Sequence, residues 1–197
     1  MKKITIGCLL ACSIWALTGC GHAPKDSMAN ADSTNSAHDS ADKKYPSPWG
    51  HEVSGDDAKF AVAAANGGMA EVELGKLAQQ KAQNAKVKDF GAMMVQDHSK
   101  ANAELMDLAK SKKIALPDSI GADEQKLKAE LASKSGADFD KAYMQAMLDD
   151  HKKDIDDFEH ARKIVKYPEM SAFIDKTLPV LKKHLAAIQQ IHDEMRD

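Results

Sequence analysis

Four stretches of this chain repeat apolar residues with a period near 3.6, and each stretch carries one titratable residue in the middle of its apolar stripe. In the first, Phe60, Ala64, Gly67, Leu74 and Ala78 share a face with Glu71; in the second, Val87, Phe90, Met94, Ala101, Leu105 and Leu108 share one with His98. The third stripe runs Phe139, Tyr143, Met147, Ile155 and Phe158 around His151, and the fourth Phe173, Ile174, Leu178, Leu181, Ile188 and Ile191 around His184. Side chains three and four positions apart lie on one helix face, so each stripe is the buried side of an amphipathic helix. No stretch alternates with a period of two, and the expected class is all-α.

Punctuation between the stripes sets the connections. A turn is expected near Asn84-Ala85, and another at Lys166-Tyr167-Pro168. The second helix must stop before Leu116-Pro117, because proline removes a backbone donor and restricts the residue before it. A short helical piece from Asp123 to Leu131 then leads to Ser135-Gly136. Two hairpins joined by a long segment describe a four-helix bundle with one long crossover between helices two and three. Gly67-Gly68 and Pro179 disturb the helices; close helix approach and a tolerated bend are the expected accounts.

In an antiparallel hairpin, residues equidistant from the turn share a height. The midpoint between Glu71 and His98 falls at Asn84-Ala85, and that between His151 and His184 at Tyr167-Pro168. If the crossover returns the chain to the end where the first helix finished, Glu71, His98, His151 and His184 converge on one layer. Three imidazoles and a carboxylate are costly in an apolar interior unless hydrogen-bonded or coordinated, and they suit one zinc, copper or iron ion. Asp97 and Asp150 stand before His98 and His151 in a repeated Met-x-x-Asp-His-x-Lys. An adjacent residue is turned about 100° away, so these aspartates are expected to orient an imidazole of a neighbouring helix. Methionines near the layer, among them Met94 and Met147, are core filler that would also suit a soft ion.

The chain opens with Met1-Lys2-Lys3 and an uncharged apolar run from Ile4 to Leu17, too short to cross a bilayer, which reads as a signal peptide over residues 1–19. Leu17-Thr18-Gly19-Cys20 resembles the lipobox of bacterial lipoproteins, and this resemblance implies that Cys20 carries the lipid. Acylation would consume the thiol of Cys20, and Cys8 and Cys12 would leave with the signal segment. Residues 20–53, rich in Ala, Ser, Asp and Asn without apolar periodicity, read as a disordered tether reaching about 30 Å. The bundle is then residues 54–197. The expected partner is a membrane, met through the anchor on Cys20 from the periplasmic side; Gly21 after the cysteine resembles lipoproteins sorted to the outer membrane. A formal net charge of −3 with no basic patch argues against nucleic acid.

Glu71 to Ala78, Phe90 to His98, Phe139 to His151 and Leu178 to Leu185 together resemble DUF4142, a family of bacterial envelope proteins with a ferritin-like bundle. The resemblance spans about Asp56 to Ile191 and implies that fold and an envelope location, but no activity. Ferritin-like di-iron sites use Glu-x-x-His pairs; three positions before His98, His151 and His184 stand Val95, Leu148 and Leu181. The bridging carboxylates are missing, so di-iron chemistry is not expected and the ion should be single. The leading reading is metal binding without an established catalytic role, in buffering or stress resistance. Its rivals are an envelope interaction module, whose buried polar layer fixes helix register and survives chelation, and a mononuclear metal oxidoreductase.

Overall fold

Every predicted break marks the end of a helix. The computed structural model describes residues 26–44 and 55–195. Within them lie six helices: α1 (Ser27–Lys44), α2 (Gly55–Lys81), α3 (Ala85–Ser111), α4 (Ala122–Ala132), α5 (Gly136–Ile164) and α6 (Pro168–Glu194). No strand occurs among the described residues. Asn84 caps α3 by accepting from the Lys86 amide, Pro168 occupies the first turn of α6, and Pro179 is accommodated inside α6.

The hairpins α2–α3 and α5–α6 pack so that α2 adjoins α3 and α5, and α6 adjoins the same two. The crossover carries α4 and returns the chain to the α2–α3 turn, as two buried aspartates make plain. Asp140 of α5 accepts from the amides of Gln83 and Asn84 at 3.0 and 2.8 Å, and Asp57 of α2 accepts from those of Lys166 and Tyr167 at 2.9 and 3.0 Å. Each hairpin turn is thus closed by a carboxylate from the other hairpin, and the turn amides in return satisfy two buried carboxylates.

At Gly75 and Gly91 the backbones of α2 and α3 nearly touch: a Cβ on either would stand 2.7–2.8 Å from the other's carbonyl oxygen. The interior divides into two apolar clusters. One gathers Phe60, Leu105, Phe158, Phe173 and Ile174; the other Leu74, Phe90, Phe139, Tyr143 and Ile188. Met94, Met144 and Met147 are buried in the second cluster as packing groups.

Residues 20–53 were expected to be a disordered tether. Ser27–Lys44 is instead helix α1, lying against α2. Polar contacts hold it: Asn35 donates to the Ala115 carbonyl at 2.9 Å and accepts from the Ala115 amide at 2.8 Å, and Ser27 donates to Asp118 at 2.6 Å. Ala31 is its one buried apolar side chain among those described. Residues 1–25, with the signal segment and Cys20, lie outside the described residues. No described helix is long and apolar enough to cross a membrane.

Candidate metal centre

Between the two apolar clusters lies the polar layer. Glu71, His98, His151 and His184 are all buried, the least so being His98 at 6% exposure. Ring centroids of the three histidines lie 5.3–5.9 Å apart, and one nitrogen from each ring falls within 4.8 Å of the other two. Phe90 closes one side, its ring 6.5 Å from those of His151 and His184. The four residues therefore share a height as the turn midpoints require.

Hydrogen-bond accounting assigns the protons. A neutral imidazole has one N–H and one lone pair. His98 donates from Nδ1 to Glu71 Oε2 at 2.6 Å, His151 from Nδ1 to the Met147 carbonyl at 3.1 Å, and His184 from Nε2 to Asp97 Oδ2 at 2.9 Å. Each ring has spent its proton on an acceptor. The lone pairs remain on Nε2 of His98, Nε2 of His151 and Nδ1 of His184. Nε2 of His98 is buried without a partner, and with the His151 proton on Nδ1 the other two nitrogens face each other at 3.4 Å as lone pairs.

Burial keeps these rings neutral. It lowers His98 to about 4; it lowers His151 to about 3, helped by the charges of His98 and His184; and it lowers His184, against which Asp97 pulls upward. At neutral pH the rings are bases with free lone pairs.

Glu71 does not sit among those lone pairs as a fourth ligand. Oε2 holds His98 by its Nδ1 edge, and Oε1 lies 3.3 Å from Nδ1 of His151, the edge turned away from His184. The proton on that nitrogen goes to Met147, so Oε1 is buried without a hydrogen bond. In place of one four-ligand layer there are two adjoining donor sets: the three imidazoles, and Glu71 with Asp150 and Asp154, whose oxygens lie within 4.8 Å of one another. Burial, then the charge of Asp150, holds the Glu71 carboxyl well above its usual range; burial, then the charge of Glu71, lifts Asp154 to about 9.

Of the two aspartates expected to orient imidazoles, Asp97 meets His184 of a neighbouring helix. Asp150 stands on the carboxylate side instead, because its 100° offset from His151 turns it towards α2 and not towards a ring. Asp154 went unread; its one signal is the spacing of four from Asp150. Glu73 points outward and pairs with Lys128 at 2.6 Å. His38 and His160 are exposed, and His192 lies half-buried near the end of α6.

Two openings reach the layer. A cavity of about 310 Å³ is lined by Gly67, Gly68, Glu71, Asp150 and Asp154, with Asp26 and Met28 of the α1 segment at its rim. A smaller one of about 110 Å³ reaches Asp97, His98 and His184 between α3 and α6.

An all-α bundle built of two hairpins and one crossover, with a polar centre between two apolar clusters, is the class of protein that fold and site define. The chain belongs to the family described as domain of unknown function DUF4142, whose model matches residues 45–191. Its fold is similar to that of CopM in the Cu(II)-bound form, with a TM-score of 0.60 and 15% identity over 70% of this chain and 96% of that one. It is likewise similar to CopM in the Ag-bound form, with a TM-score of 0.58 and 16% identity over the same shares. No curated protein matches the chain.

Proposed function

We propose that the protein binds one transition-metal ion of the copper or zinc class through His98, His151 and His184, and that it buffers that ion at the cell envelope, anchored by lipid on Cys20. The observation that carries this reading is the facing pair of lone pairs on His151 and His184. Two basic nitrogens 3.4 Å apart with no proton between them repel unless a cation joins them. A tetrahedral ion with bonds of 2.0–2.1 Å holds its donors about 3.3 Å apart, so this pair already has the separation coordination requires.

The atoms behind the rings fit as well. A metal-bound imidazole directs its other nitrogen to a carboxylate or carbonyl, which fixes the tautomer. Glu71, Met147 and Asp97 supply those acceptors, one for each ring. Neutral rings need lose no proton to bind, so the site is ready at neutral pH. The likeness in fold to CopM, seen with Cu(II) and with Ag, supports a copper-class ion. Three protein donors leave a fourth position open, which suits an ion that is held and handed on.

The test is the metal content of the protein purified without a metal-affinity tag, before and after exposure to Cu(I), Cu(II) and Zn²⁺, beside a His151→Ala, His184→Ala variant. One equivalent in the wild type and none in the variant is the expected result. A wild-type protein that stays folded and empty in all three would overturn the reading and leave the layer as a hydrogen-bonded device that fixes helix register.

A further inference from the structure

The carboxylates beside the histidines form a donor set of their own. Glu71 comes from α2 and Asp150 and Asp154 from α5, where a spacing of four puts both aspartates on one side of the helix. Their oxygens gather within 4.8 Å. Glu71 is 1% exposed, and its Oε1 has no hydrogen bond. A buried carboxyl oxygen without a hydrogen-bond partner is costly. The near cation, Lys153, is engaged elsewhere, its ammonium on Asp157 at 2.7 Å.

We propose that Glu71, Asp150 and Asp154 form a second cation position, lined by oxygen and adjoining the imidazole position, which takes a divalent ion of the Mn²⁺ type. An octahedral ion with bonds of 2.0–2.4 Å spans donors from about 3 Å when adjacent to about 4.8 Å when opposite. The three oxygens, all within 4.8 Å of one another, do not exceed that span. An oxygen-preferring ion keeps several waters, and the 310 Å³ cavity that the carboxylates line has room for them. Gly67 of α2 lines it opposite Asp154: a Cβ there would stand 3.9 Å from both carboxylate oxygens.

The imidazole set prefers softer ions than the oxygen set, so the two positions sort metals by chemistry. They meet at Glu71, which accepts from His98 through Oε2 and also belongs to the acidic set. The inference goes beyond the imidazole site and stands without it, since none of its three donors is a histidine.

The experiment is Mn²⁺ binding by the purified protein, read as loss of the free-ion EPR signal, in the wild type, in Asp150→Asn with Asp154→Asn, and in His151→Ala with His184→Ala. The asparagines keep the shape of the two side chains, so that variant folds; circular dichroism checks it. Wild type should bind one Mn²⁺, the asparagine variant at least tenfold more weakly, and the histidine variant with no more than a threefold change. Absence of Mn²⁺ binding in the wild type, binding that survives the two asparagines, or binding lost with the histidines would each overturn the second position. Failure of the imidazole site reads out separately, in the Cu and Zn²⁺ content of the wild type.

Discussion

Asp97 touches the centre only through His184, which makes it the cleanest probe of the proton accounting. Its Oδ2 accepts from His184 Nε2 at 2.9 Å, and the side chain is 31% exposed. Asp97→Ala removes the acceptor that commits the His184 proton to Nε2 and keeps the lone pair on Nδ1, towards His151. The ring is then free to turn or to change tautomer. Loss of such an acceptor typically weakens a metal site 10–100-fold, about 1.4–2.7 kcal/mol. Because the carboxylate reaches water, its removal leaves no void, and the fold should change by no more than about 0.5 kcal/mol. Asp97→Asn retains an acceptor oxygen without the charge and should fall between wild type and alanine. The assay is competition with a chromophoric chelator for Cu(I) under anaerobic conditions, with melting followed in parallel. One equivalent should still bind, at 10–100-fold weaker affinity. Affinity within twofold of wild type in the alanine variant would refute the assignment of lone pairs to the layer.

Gly75→Ala and Gly91→Ala each drive a Cβ to 2.7–2.8 Å from a backbone oxygen that cannot swing aside, and each should cost about 1–3 kcal/mol in denaturant unfolding. Gly67→Ala meets nothing closer than 3.9 Å and should gain about 1 kcal/mol of helix propensity. Asn35→Ala removes both hydrogen bonds to Ala115 and should speed amide exchange across Ser27–Lys44 while leaving α2, α3, α5 and α6 protected. The pH dependence of the metal-free protein has a worked sign. Between about pH 4.5 and 6.5 the unfolded chain binds protons on His98 and His151 that the folded chain refuses, whereas the folded chain keeps protons on Glu71 and Asp154 that the unfolded chain loses, and the two effects oppose. Above 6.5 only the raised carboxyls differ, so urea midpoints in a chelator should fall as pH rises from 6.5 towards 9, where Asp154 ionises in the fold.

The four long helices and their turns were legible because each is defined by apolar burial and ended by Asn84, Leu116-Pro117, Ser135-Gly136 or Pro168, and both signals are local. The histidines were legible for the same reason: a polar residue on an apolar stripe is an exception that the period itself exposes. Helix α1 was not. It buries a single described apolar side chain, Ala31, and its attachment is Asn35 to a backbone 80 residues away. A reading that looks for apolar periodicity has nothing to find there. The role of Glu71 was hidden differently. Its stripe and height are those of a ligand, and only the 2.6 Å contact to Nδ1 of His98 shows that it stands behind the ring.

The acidic set shows why neighbouring signals can each be read and their sum missed. Asp149-Asp150, Asp154 and Asp156-Asp157 form a run that, on its own helix, is indistinguishable from a solvated face. Gly67-Gly68, on another helix, is indistinguishable from a weak point that packing tolerates. Across the α2–α5 contact they are one feature. Gly67 leaves the space into which Asp154 looks, and Gly68 admits Asn102 of α3, whose Oδ1 would lie 2.1 Å from a Cβ at that position. The two glycines forfeit helix propensity of about 1 kcal/mol each; the close approach of Asn102 requires it at Gly68, whereas alanine fits at Gly67. What alanine would change is the cavity wall beside three carboxylates, where its Cβ would face both Asp154 oxygens at 3.9 Å. Gly67→Ala should therefore raise stability and weaken Mn²⁺ binding in the same protein, a pair of opposite signs that simple core packing does not produce.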